Sequence, residues 1–144
     1  MYTVDASVWV NGFDQREPGH AVSRQTLALL GTHRLPIVVP YLLLVEVAGA
    51  ISRTRANPMQ GHAFATAFEN LPNVTFVALD SSLAQQAQRL AAQHGLRGAD
   101  AVYAAVAVQA RAVLLSLDNE HITRLRGVVE VRTPAEVLPD LSSL

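Results

Sequence analysis

Apolar residues along the chain fall into short β-branched runs separated by longer stretches of helical periodicity. Tyr2-Thr3-Val4-Asp5-Ala6-Ser7 reads as a strand that stops at a helix-capping position, with a helix following through Val8-Trp9-Val10. Gly12 to Gly19, polar and containing Pro18, is a loop; Ala21 to Leu30 is helical, and Gly31 offers a C-terminal stop. Ile37-Val38-Val39 is a second strand, and Pro40 fits the first position of a helix from Tyr41 to about Arg53.

Another helical stretch spans roughly Gln60 to Glu69, and Val74-Thr75-Phe76-Val77 is a third strand. Asp80-Ser81-Ser82 caps a helix that runs through His94 and ends at Gly95. Gly98-Ala99-Asp100 opens a helix to about Ala110 whose small apolar residues on every side imply burial on both flanks. Val113 to Leu117 is a strand ending at Asp118, Asn119 to Leu125 a short helix or turn, and Val128 to Val131 a final strand before Thr133-Pro134.

The order reads βαβααβααβαβα. Strands alternating with helices predict an α/β fold with a parallel sheet covered on both faces, because each crossover between parallel strands is long and right-handed. At 144 residues one domain is expected, over 1–138, with 139–144 a loosely attached tail.

Composition removes several chemistries. There is no cysteine, so disulfides, thiolate metal sites and cysteine nucleophiles are absent. All eleven basic residues are arginine, which excludes P-loop and Schiff-base mechanisms. Net charge is only −1, so any nucleic-acid contact is local rather than a global basic footprint. No apolar run reaches transmembrane length and Met1 to Asp5 does not read as a secretory leader, so a cytoplasmic protein without membrane contact is expected.

Against this background four acids stand out. In a parallel sheet all strands end on one edge, and Asp5 and Asp118 both follow strands. Each also suits an N-cap, which by itself would account for it. Glu46 interrupts the apolar run Tyr41 to Ala48, where an ionised carboxylate is costly without a cation or several donors. Asp100 lies in the first turn of an otherwise apolar helix, where the helix dipole also favours it. Four carboxylates in one pocket would repel and protonate unless a divalent cation compensated them. Oxygen-only ligands suit Mg²⁺ or Mn²⁺, ions that serve phosphoryl transfer.

At these residues the chain resembles the PIN-domain ribonucleases, and in particular the VapC toxins of bacterial toxin–antitoxin pairs. The resemblance rests on Val4-Asp5-Ala6-Ser7, Leu44-Val45-Glu46-Val47, Leu96 to Ala105 and Leu115-Ser116-Leu117-Asp118, and covers nearly the whole length. It implies a three-layer α/β/α sandwich around a central parallel sheet of four to five strands. It further implies that Asp5, Glu46, Asp100 and Asp118 are the catalytic, metal-binding quartet, with Asp5 and Asp100 direct ligands. Ser7 and Ser116 match the small polar positions that accompany it, while Ala6 stands where many relatives have Thr or Ser. The implied activity is Mg²⁺-dependent cleavage of RNA by metal-activated water, with Mn²⁺ able to substitute, leaving a 5′-phosphate and a 3′-hydroxyl. The implied partners are an RNA substrate and a cognate antitoxin protein.

Arg53, Arg55 and Arg97 flank the elements bearing Glu46 and Asp100 and are candidates for RNA phosphate contact. The five histidines form no pair at metal-ligand spacing, and His121 is the one nearest the acids in sequence; roles for Asn119 and Glu120 stay open. The apolar helix after Tyr41 predicts a homodimer or an antitoxin-covered face, unless the helix at Gln60 to Glu69 hides it. Competing functions are a PIN nuclease of RNA maturation, a non-catalytic binding scaffold, and a haloacid-dehalogenase-type phosphatase. The last would want an aspartate where Ser7 stands.

Overall fold

The computed structural model describes residues 1–144. Its elements are β1 (Tyr2–Val4), α1 (Ala6–Phe13), α2 (His20–Thr32), β2 (Ile37–Pro40), α3 (Leu42–Arg55), α4 (Pro58–Phe68) and β3 (Val74–Val77). There follow α5 (Ser81–His94), α6 (Gly98–Ala110), β4 (Val113–Leu115), α7 (Asn119–Arg124), β5 (Val131–Arg132) and α8 (Pro134–Ser142). Five strands form one sheet in the order β3-β2-β1-β4-β5, and every pairing is parallel.

Successive strand residues point to opposite faces, and in the middle of this sheet both faces are closed. Thr3 and Val4 are each 0 % exposed, as are Leu114 and Leu115, so helices cover the sheet above and below in three α/β/α layers. Helix α6 lies on β1, β2 and β4, and Ala101 through Ala107 are all buried, which explains its lack of a polar stripe. Helix α4 presses close on α3. A Cβ added to Gly61 would stand 2.5 Å from the Ala48 carbonyl oxygen, so only glycine fits this crossing. Leu43, Val47 and Ile51 of α3 are buried, while Tyr41 and Val45 stay exposed. No helix is long and apolar enough to cross a membrane.

Several boundaries differ from the sequence expectation. The first crossover holds two separate helices, α1 and α2, as the run of residues predicts, one more than the order βαβααβααβαβα counts. Helix α2 passes through Gly31 and ends beyond it, where Arg34 adopts φ 49° and Leu35 N–H returns to the Leu30 carbonyl. Pro40 closes β2 opposite Val77 instead of opening α3; a strand end tolerates its missing N–H. Val128 and Val129 turn back onto the Leu125 carbonyl after Gly127, so β5 starts only at Val131. The expected loose tail at 139–144 is largely helix: α8 opens with a Thr133–Glu136 capping box, continues to Ser142, packs on α2 and buries Leu141.

Candidate active site

Chain order reverses at the centre of the sheet: from β1 the chain moves outward to β2 and β3, then returns to place β4 on the other side of β1. A crevice opens at such a switch point beyond the strand ends. Asp5 follows β1 and Ser116, Leu117 and Asp118 follow β4, so the two arms meet there. Asp5 N–H donates to the Leu115 carbonyl at 2.9 Å, carrying the strand pairing to the edge of the crevice.

Asp5 and Asp118 are N-caps and more. Asp5 caps α1 through Ser7 N–H, and the same oxygen, Oδ2, accepts from the Ser7 hydroxyl and lies 3.3 Å from Ser116 Oγ. Asp5 is buried, 7 % exposed, yet its Oδ1 takes no hydrogen bond from the chain. Asp118 caps α7 with Oδ1, accepting from Glu120 N–H at 2.8 Å, while its Oδ2 points to Arg97. Ser7 Oγ also accepts from Leu117 N–H, and Ser116 Oγ from Asp118 N–H, so the two serines fasten the β1 and β4 ends together.

Glu46 reaches the crevice from α3 and is held by the Tyr103 hydroxyl, which donates to Oε2 at 2.7 Å. Burial raises the Glu46 pKa above the ordinary carboxylate value, and the negative charges of Asp5 and Asp100 raise it further; the Tyr103 bond and His121 act against them. Tyr103 is itself buried, and its phenol pKa is pushed strongly upward by burial, then by the charge of Glu46 and the bond to it. The two acids acting on Glu46 place Asp5, Glu46 and Asp100 within one electrostatic neighbourhood.

Arg97 closes the remaining side. Its Nε donates to Asp100 Oδ2 at 3.0 Å and its Nη2 to Asp118 Oδ2 at 2.7 Å, so one guanidinium bridges two of the acids. These contacts, the Asp100 hydrogen bond foremost, hold Arg97 more firmly protonated than usual. His121 backs Asp100 from beneath. The imidazole is 0 % exposed, with Nε2 3.4 Å from Asp100 Oδ1 but not aligned to hydrogen-bond it.

The arginines singled out in the sequence go three ways. Arg53 lines a cleft of about 420 Å³ together with Ser7, Val45, Glu46 and Gly49. Arg97 sits on the acids. Arg55 turns elsewhere, toward Asp14 at 3.7 Å and over the Phe13 ring, at the opposite end of α1 from Asp5. An apolar cavity of about 400 Å³ between α1, α2 and α4, walled by Trp9, Phe13, Leu27, Phe64 and Phe68, contains none of the acids.

The donor set suits a hard divalent cation: carboxylate oxygens, no thiolate, and a Glu46 carboxyl that burial, and then its acidic neighbours, push toward protonation. In the present arrangement no three His, Asp or Glu side chains converge on one ion position, Asp100 and Asp118 being drawn onto Arg97.

Tyr103 was not anticipated, although it lies three residues after Asp100 on the same helix and is its one aromatic residue. The sequence marks His121, Ser7 and Ser116 near the acids but conveys none of their contacts.

No curated protein matches the sequence significantly. Solved structures do. VapC20 of Mycobacterium tuberculosis, described as a toxin cleaving the sarcin–ricin loop, is 19% identical with a TM-score of 0.74, over 92% of this chain and 99% of its own. VapBC2 of Rickettsia felis, bound to a DNA fragment from its promoter, is 15% identical with a TM-score of 0.67, over 92% of this chain and 97% of its own. DNA-bound VapBC of Salmonella typhimurium is 13% identical with a TM-score of 0.68, over the same shares. At such identities the likeness shows a shared fold. The sequence pattern of the PIN domain matches residues 2–128, and the chain therefore belongs to the PIN domain family.

Proposed function

We propose that the chain is a Mg²⁺-dependent endoribonuclease, with Mn²⁺ able to substitute, and acts as the toxin of a toxin–antitoxin pair. The observation that carries this is that Asp5 and Asp118 follow the adjacent strands β1 and β4 at the switch point of a PIN fold, with Asp100 tied to Asp118 through Arg97 and Glu46 facing the charges of Asp5 and Asp100. Asp5 and Asp100 would hold the cation directly, with Glu46 and Asp118 completing the set; Arg97 competes for Asp100 and Asp118. When bound, a divalent ion compensates the clustered charge, polarises a phosphodiester and lowers the pKa of a water molecule.

The chain's own groups prepare this. Ser7 and Ser116 hold Asp5 by one oxygen, leaving the other without a hydrogen bond from the chain, and Tyr103 fixes Glu46. Arg53, beside Glu46 in the open cleft, offers a phosphate contact for RNA. Hydrolysis by water with the 3′-oxygen as leaving group leaves a 5′-phosphate and a 3′-hydroxyl, whereas attack by the RNA's own 2′-hydroxyl would leave a cyclic phosphate.

The toxin role is supported by the structural neighbours, whose own names are those of VapC toxins and VapBC complexes. A cognate antitoxin protein is the corresponding partner, and the exposed Tyr41, which precedes α3, and Val45 on α3 suit a homodimer contact. The test is cleavage of RNA by the purified chain with Mg²⁺ and with excess chelator, followed by analysis of the product ends. A 2′,3′-cyclic phosphate, or equal cleavage in chelator, would overturn the proposal.

A further inference from the structure

Ser116 Oγ has three polar neighbours and one proton to give. Asp118 N–H donates to it at 3.0 Å, Asp5 Oδ2 lies at 3.3 Å, and His121 Nδ1 at 2.8 Å. If the hydroxyl proton went to His121, Ser116 Oγ and the Asp5 carboxylate would face each other with no proton between them. If it goes to Asp5, His121 Nδ1–H donates to Ser116 and all three contacts are satisfied. With a neutral ring, the second arrangement sets the tautomer. His121 then carries its proton on Nδ1 and presents the Nε2 lone pair.

That lone pair has no hydrogen-bond partner, is shut off from solvent, and stands 3.4 Å from Asp100 Oδ1. Two such acceptors repel unless a proton or a metal cation lies between them. Adjacent ligands of an octahedral ion, at about 2.1 Å from it, stand roughly 3 Å apart, close to the separation seen here.

We propose that His121 Nε2 is a nitrogen ligand of the divalent cation, shared with Asp100, so that the site is a mixed nitrogen and oxygen site rather than an all-carboxylate one. The inference rests on the metal-dependent reading above and adds a donor of a different class. An imidazole suits transition ions better than Mg²⁺, so the site should hold Mn²⁺ more tightly than Mg²⁺. The Asp5–Ser116–His121 chain orients the ring, as ligating histidines are commonly oriented through their second nitrogen.

The experiment is electron spin-echo spectroscopy of Mn²⁺ added to the full chain, with Mn²⁺ affinity measured in parallel. The expected result is ¹⁴N modulation from a directly bound imidazole, replaced by the ¹⁵N pattern when the chain is grown with ¹⁵N-histidine. In His121→Asn the modulation should vanish and Mn²⁺ affinity should fall about 10-fold or more, with a smaller loss for Mg²⁺. Isotope labelling of the unmutated chain decides the matter even if that variant folds poorly. Mn²⁺ bound without nitrogen modulation overturns the inference and leaves the metal-dependent nuclease standing; a proton bridging His121 and Asp100 would give this result. Failure of Mn²⁺ to bind at all overturns both.

Discussion

Tyr103 and Glu46 are joined by a 2.7 Å hydrogen bond between α6 and α3, and it is the one direct bond that supports Glu46 against burial and two negative neighbours. Because burial lifts the Glu46 pKa in the folded chain above its unfolded value, the native state holds that proton more tightly. Its contribution to stability is complete below the unfolded carboxylate pKa and is lost as pH rises through the higher folded value. Glu46→Gln should therefore raise Tm by a few degrees at neutral pH without divalent ions, and the gain should shrink toward pH 4. Thermal melts across that range check it. A lower Tm for the variant at pH 7 would mean that the charged form of Glu46 stabilises the fold.

Asp5→Asn and Asp100→Asn separate capping from chemistry. Asparagine caps a helix about as well as aspartate, so a purely structural Asp5 would lose little on substitution. A ligand carboxylate loses its charge, and activity should drop by more than the roughly 10–100-fold that a group outside the ligand shell costs. Melting and RNA cleavage measured on the same preparations distinguish the two; normal cleavage by Asp5→Asn would reduce Asp5 to a cap.

Arg53 and Arg55 are two residues apart and should behave differently. Arg53 opens into the cleft with Glu46, whereas Arg55 is engaged with Asp14 and Phe13. For single-stranded RNA each neutralised phosphate contributes about 0.7 to the slope of log affinity against log salt. Arg53→Gln should reduce the slope by about that amount and Arg55→Gln should not. Equal slopes for both variants would remove Arg53 from the RNA path.

Val45 is 68 % exposed on a helix whose other side is packed. If α3 forms a homodimer contact, Val45→Asp should shift the sedimenting species from dimer to monomer and leave Tm of the monomer nearly unchanged. A wild-type chain that sediments as a monomer at micromolar concentration would rule out the dimer.

Much of the site is legible in the sequence because strand ends in a parallel sheet share one edge: Asp5 and Asp118 follow directly from the β1 and β4 patterns. Glu46 is legible for the opposite reason, as a charge among Leu43, Leu44, Val45 and Val47. What periodicity does not convey is which way a uniformly apolar helix is turned. Tyr103 on α6 therefore gave no sign of reaching Glu46, since Ala and Val on every side leave the rotation of α6 undetermined. Arg55 was similarly ambiguous, because its partner Asp14 lies 41 positions away and only the packing of α1 on α3 brings them near. The segment from 139 to 144 reads as a loose terminus, yet Val137 and Leu141 are spaced to bury one helical face against α2.

The most direct test of the central claim is cleavage of a labelled RNA by the purified chain in three conditions: Mg²⁺, excess chelator, and chelator followed by Mg²⁺ or Mn²⁺, with Asp100→Asn run alongside. Clustered carboxylates without a compensating cation should be inert. The expected result is cleavage with Mg²⁺, none in chelator, recovery with either ion, and none from Asp100→Asn in any condition. Undiminished cleavage in chelator, or cleavage by Asp100→Asn equal to that of the wild-type chain, would contradict the account.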